Sequence, residues 1–284
     1  MSGTPGPLRF LWFGSYAKGP GYPRTDTLVA GLRELGHEVD EIHAPLFDGA
    51  SDRVSAGAGA GVVRAGWRQA RAALRLARGW LAAPEHHGVV AGAGGVLDAP
   101  LLRFLQNVER RPLVLDAFVP LYDTVVRDRA LAPEGSVRAR ALLGTERLSA
   151  RVADLVLADT AANAALLAAD LRLPREKIAV VPVCQADAGP PPPLPDAGPL
   201  RVLLVATYIP LHVVETVVEA ARLLGGDGVR ITVVGTGQTY AEIAPRGAGV
   251  RGLELVGRFE APEDIARRLA ASHVGLGIFG ATGK

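Results

Sequence analysis

The stretch Leu200-Arg201-Val202-Leu203-Leu204-Val205-Ala206 is a short apolar run that opens straight into a new pattern. Residues 213–224 place apolar side chains at helical spacing, residues 229–234 form a second apolar run, and Gly235-Thr236-Gly237 reads as a turn, with further strand-like runs near Leu253 and Val274. Strand and helix alternating at this spacing predict a parallel sheet with crossover helices, an α/β fold. A sheet of four short strands, the last ending at residues 278–279 with no helix after it, has one flank uncovered. The expectation is therefore that the chain stops at Lys284 inside a second, incomplete α/β domain.

The upstream half repeats the architecture. Residues 8–13 are a buried-strand run, 14–24 a glycine-rich loop, and 26–35 a helix with Thr25 as N-cap and Gly36 as C-cap. Further strands fit residues 38–43, 89–91, 112–116, 155–158 and 178–182. The segment around Pro190, Pro191, Pro192, Pro193, Pro195 and Pro199 has no periodicity, and proline stiffens it into an extended connector. Residues 1–184 are thus expected to form one Rossmann-like domain, 185–199 a linker and 200–284 part of another.

The chain has 284 residues, 49% of them hydrophobic, enough to fill two cores. Net charge is +2, and Lys18, Lys177 and Lys284 are the only lysines among 31 basic residues. So arginine-rich a composition fits the codon bias of a GC-rich genome, and it gives no reason to expect nucleic acid as a partner. Cys184 is the only cysteine, which excludes an internal disulfide and a cysteine-rich metal cluster. His37, His43, His86, His87 and His273 show no metal-ligand spacing, and no metal is expected. Nothing at residues 1–9 resembles a signal peptide and no apolar run reaches membrane-spanning length, so a cytoplasmic location is expected.

Two glycine loops approach known phosphate motifs and fail specific checks. Gly14 and Gly19 have Walker spacing, but Pro20 and Gly21 stand where lysine and serine or threonine are required. Gly235 and Gly237 follow a strand, but Tyr240 occupies the third glycine position of the dinucleotide fingerprint, which disfavours NAD. These glycines either only make tight strand-to-helix turns, or they line a cleft where helix N-termini bind phosphate.

The chain resembles the retaining, family 4 type glycosyltransferases of the GT-B fold, two facing Rossmann-like domains with a nucleotide sugar in the cleft. The resemblance is carried by Gly14-Ser15-Tyr16 with Gly21-Tyr22-Pro23-Arg24, by Leu115-Asp116-Ala117-Phe118 with Leu121-Tyr122-Asp123-Thr124, and by Ala158-Asp159-Thr160. It continues in Thr207-Tyr208-Ile209-Pro210-Leu211-His212, Gly235-Thr236-Gly237-Gln238-Thr239-Tyr240 and Leu276-Gly277-Ile278-Phe279-Gly280. It implies transfer of a sugar from a nucleotide-sugar donor to a glycan or lipid-linked acceptor, with the donor as co-substrate and no separate cofactor. Gly14, Ser15, Arg24, Thr207, Tyr208, His212, Gly235, Gly237 and Gln238 are the implied donor- and phosphate-binding residues, and Asp116 and Asp123 the catalytic candidates.

The chain departs from the pattern at three places. Such enzymes usually hold the diphosphate with an arginine and a lysine after the first strand of the second domain, where Tyr208 and His212 stand and could hydrogen-bond phosphate oxygens instead. Phe118 stands where many relatives have a histidine, leaving Asp116 and Asp123 to position hydroxyl groups; an Asp capping the following turn is the plainer reading of Asp123. The donor-binding glutamate of such enzymes would lie beyond Lys284. The competing readings are a non-catalytic partner or scaffold of the same fold and a sugar-nucleotide epimerase.

One pattern needs no family. Arg64, Arg68, Arg71, Arg75 and Arg78 recur every three or four residues, a helical stripe beside Val63, Trp67, Ala70, Leu74, Ala77 and Leu81, with Trp80 at the end. A basic amphipathic helix bearing tryptophan suits an anionic membrane surface. An ordinary surface helix, its apolar stripe on the core and its arginines solvated, fits the same pattern.

Overall fold

The computed structural model describes residues 6–16, 18, 23–45, 62–94, 97–184, 193–194 and 198–280. Most of the expected 185–199 linker and the 19–22 tip of the first glycine loop lie outside these residues. The chain divides into two compact units, Met1–Ala186 and Asp187–Lys284, and each contains a parallel sheet with alternating helices.

In the first unit the elements are β1 (Arg9–Gly14), α1 (Pro23–Glu34), β2 (Glu38–His43), α2 (Val62–Leu81), β3 (Gly88–Ala91), α3 (Asp98–Leu105), β4 (Leu113–Phe118), α4 (Val137–Val152), β5 (Leu155–Ala158), α5 (Ala161–Leu171) and β6 (Ile178–Val180). The strands pair in parallel in the order β2-β1-β3-β4-β5-β6. Alternation along each strand sends Leu11, Phe13, Val89, Ala91, Leu113 and Leu115 to one face, under Leu76, Leu102, Ala150 and Leu167 of four helices. Trp12, Val39 and Val90 go to the other face, with Val29 of α1. Each of the Val, Leu and Phe side chains so removed from water contributes roughly 1.5–3 kcal/mol.

Three local outcomes differ from the sequence pattern. Helix α1 begins at Pro23, whose fixed φ suits a first helical position, so Thr25 lies buried inside the helix rather than at its cap. Its other end fits expectation: Gly36 takes a φ of +86° while Gly36 N–H and His37 N–H donate to Arg33 and Leu32 carbonyls, a Schellman ending. Asp123 is the first residue of a π-helical turn, Asp123–Asp128, rather than the residue before it; the Leu121 and Tyr122 N–H groups at that turn donate to Glu146, both at 2.8 Å. The third difference is in α2, where Ala72 and Leu76 face the core while Trp67 and Leu74 point outward.

The second unit contains β7 (Leu200–Val205), α6 (Val214–Leu224), β8 (Val229–Val234), α7 (Tyr240–Gly247), β9 (Leu253–Leu255), α8 (Pro262–Ala270) and β10 (Val274–Leu276). Its order is β10-β7-β8-β9, all parallel. Val202, Leu204 and Val233 pack with Val217, Val218 and Ala221 of α6 and Ile243 of α7. Leu203 and Val234 pack on the opposite face with Val256 and Ile265.

Candidate functional site

In an open parallel sheet, ligands bind beyond the carboxyl ends of the strands where the strand order reverses. In the first unit the chain runs from β1 outward to β2 and returns to β3, so the reversal lies between β1 and β3. In the second it runs from β7 through β8 to β9 and returns to β10, beside β7. Most sequence-predicted donor-binding and catalytic residues lie at these two edges.

At the first edge, Gly14 ends β1 with a φ of +134°, and a Cβ there would collide with the Asp98 carboxylate. Ser15 N–H and Oγ both donate to Asp98 Oδ2, at 2.6 and 2.9 Å. Burial pushes the Asp98 carboxyl up while these two bonds favour its charge. Asp98, at the start of α3, was not legible in the sequence, since its partner lies 83 residues upstream. Asp98→Ala is expected to destabilise the first unit by about 1–3 kcal/mol, because it strands buried donors. Urea denaturation checks this; a loss under about 0.5 kcal/mol, the range of ordinary surface substitutions, would show that the Ser15 contact is not structural.

Arg24 and Asp116, assigned separate roles from sequence, meet each other. Arg24 Nε lies 2.9 and 3.0 Å from the two Asp116 carboxylate oxygens and Nη2 lies 2.7 Å from Oδ1, while Nη1 donates to the Val181 carbonyl at 2.7 Å. The guanidinium also lies 5.1 Å from the centroid of the Phe118 ring. Arg24 is 4% exposed, so this side chain holds β4 and the end of β6 to α1 and is not offered to an anion. Burial pushes the Asp116 carboxyl up and the arginine pulls it back. Phe118 closes the strand with a φ of +58°, beside a register shift between β4 and β5. Asp123 is buried near Arg127 of the same turn at 3.5 Å, and Arg127 pairs with Asp170 at 2.7 Å. Ser15, Arg24, Asp116 and Asp123 therefore form the frame of this edge.

At the second edge, three loops are pressed together by glycine. A Cβ on Gly235 (φ +128°) would stand on the Ala206 carbonyl oxygen, one on Gly237 on that of Thr207, and one on Gly280 on that of Leu211. The loops after β7, β8 and β10 thus converge beside the reversal. Tyr208 (φ +46°) and Val213 (φ +44°) hold left-handed conformations that are costly for non-glycine residues, above all a β-branched one. The Tyr208 side chain is 0% exposed and packs edge-on to Tyr240, ring centroids 5.0 Å apart. Burial pushes its hydroxyl up to about 12. Tyr208 thus lies beneath this surface, and its carbonyl accepts from Thr239 N–H and Oγ, both at 2.9 Å.

His212 is arranged otherwise. Thr207 N–H donates to its Nδ1 at 3.1 Å, so a neutral ring carries its proton on Nε2 as a donor. Thr207 and Gln238 are exposed, and His212 is half-buried. The result is a rim of hydroxyl, amide and imidazole groups over close-packed backbone, suited to hydrogen-bonding phosphate or sugar oxygens. Among the described residues no group of three His, Cys, Asp or Glu could hold a metal ion.

Neither a protein-family model nor a curated protein sequence matches the chain. Solved structures do. The lipopolysaccharide outer core galactosyltransferase WaaB, in its apo form, matches with a TM-score of 0.57 and 12% identity over 97% of this chain and 75% of that one. A glycotransferase of kitacinnamycin matches with a TM-score of 0.52 and 15% identity, over 91% and 72%. At such identities the likeness is one of fold, a pair of Rossmann-like α/β domains of GT-B type.

Proposed function

We propose that this chain transfers a sugar from a nucleotide-sugar donor, with retention of configuration, to a glycan or lipid-linked acceptor. The observation that carries the reading is the second edge, where glycine lets two loops close on the carbonyls of 206–207 while His212 is held with its donor on Nε2. The fold likeness to two structures named as glycosyltransferases supports it. In this reading Thr207, His212 and Gln238 contact the donor diphosphate or ribose, and backbone N–H groups of the 235–238 turn complete the phosphate contacts. Preorganised neutral donors stabilise a leaving diphosphate without a metal ion or other cofactor. Ser15, Arg24 and Asp116 are positioning residues of the first edge, and the first unit takes the acceptor.

The test is equilibrium binding of uridine, adenosine and guanosine diphosphates to the chain, followed by turnover of the matching nucleotide sugars with the anomeric configuration of the product read by NMR. His212→Ala is expected to weaken diphosphate binding about tenfold or more, the worth of a hydrogen bond to a charged group. A folded chain that binds none of the diphosphates, or a His212→Ala variant that binds as the parent does, would sink the reading. A second reading is favoured by one observation: residues 206–213 contain no lysine or arginine. A non-catalytic protein of the same fold would bind donor without turnover, and an epimerase would return an isomerised sugar.

A further inference from the structure

Helix α2 carries an outward face that the core leaves unused. Its inner side is made by Ala72 and Leu76, by Gly79 against Ile42, and by Trp80, edge-on to Phe13 with ring centroids 6.4 Å apart. At about 100° per residue, Trp67, Ala70, Leu74 and Leu81 form a strip opposite this inner side, and Arg68, Arg71, Arg75 and Arg78 form a second strip along one flank, between the apolar strip and the core. Trp67, Leu74 and Leu81 are 69%, 52% and 84% exposed, and all four arginines are exposed. The apolar stripe expected on the core therefore points away from it. Arg64 belongs to the helix, but its side chain lies outside the described residues.

We infer that this face lies on an anionic lipid bilayer surface. The 20-residue helix contains no Asp or Glu, and among the described residues none of the four arginines has an ion-pair partner, so no described carboxylate neutralises the positive strip. Exposed tryptophan and leucine beside it supply what a bilayer interface takes up, an apolar strip at the acyl boundary with guanidinium groups level with lipid phosphates. A nucleic acid would match the arginines and leave Leu74 and Leu81 without a counterpart. No helix among the described residues is long and apolar enough to cross a membrane; the contact is one of lying on the surface. This inference stands apart from sugar transfer, since its test needs no donor.

The experiment is flotation of the chain with phosphatidylcholine vesicles with and without phosphatidylglycerol, at low and high salt, beside Trp67 fluorescence quenching by brominated lipid. The parent is expected to bind only the anionic vesicles, to release at high salt, and to be quenched. The triple variant R68E/R71E/R75E should lose at least a hundredfold in partitioning, since each basic residue near such a surface contributes roughly fivefold. Trp67→Ala, with all its charges, should lose roughly tenfold, and circular dichroism confirms that both variants are folded. A parent that does not bind anionic vesicles, a triple variant that binds as the parent does, or retention of the parent on an oligonucleotide in place of vesicles overturns the inference.

Discussion

Arg24→Ala is expected to lower the stability of the first unit by about 3–5 kcal/mol, the cost of stranding a buried charge. The Asp116 carboxylate would lose the guanidinium that meets both of its oxygens, and the Val181 carbonyl would lose its donor at the same stroke. Water cannot take over without opening the sheet, because both side chains are buried. Against the 5–15 kcal/mol typical of a native domain, such a loss brings the unit near its unfolding threshold. Replacing both partners by apolar residues, Arg24→Met with Asp116→Leu, should recover much of the loss, since no uncompensated charge then remains. A double-mutant cycle in urea decides it. Additive effects, or a single substitution costing under about 1 kcal/mol, would mean that the pair is not a unit.

The second large effect is expected from Gly235→Ala. At a φ of +128° an L side chain is already strained, and its Cβ would stand on the Ala206 carbonyl oxygen, a backbone atom that has no rotamer to escape into. The loops after β7 and β8 must part, which moves Thr207, His212 and Gln238 relative to one another. We expect a loss of several kcal/mol from combined strain and overpacking, with diphosphate binding weakened about a hundredfold because the contacts no longer converge. Gly249→Ala is the control: its φ is +74° and nothing lies within 4 Å of a Cβ there, so it should cost only about 1 kcal/mol of backbone strain. Melting curves and diphosphate titrations of the two variants separate the terms. Equal losses would show that close packing at the second edge has no special role.

Much of the fold was legible in the sequence because its signals are local. Apolar runs of four to six residues, helical periodicity between them, and glycine or proline at their ends act within a turn or two of chain, and they located β1, β7, β8, α6 and the Gly36 ending. Residue type also marked Gly14, Gly235 and Gly237, since a Cβ would collide with the Asp98 carboxylate at the first and with a backbone carbonyl at the other two. What the sequence could not determine was which polar group each candidate would meet. Arg24 and Asp116 are 92 residues apart and Ser15 and Asp98 are 83 apart, and no local pattern encodes such a meeting. Glu146, which no sequence pattern singles out, accepts from the N–H groups of a turn some 24 residues earlier. Helix α2 shows the same division. Its periodicity follows from the sequence alone, but the stripe that reaches the core, Ala72, Leu76 and Gly79, is not the one the periodicity picked out. The sheet beneath accepted the small side chains of Ala72 and Gly79 at close approach, so Trp67 and Leu74 were left outside. The sequence by itself determined where strands and helices form and where glycine is required; tertiary packing alone decided which charges are paired and buried and which face water, because burial is settled by the volume between elements that are distant in the chain.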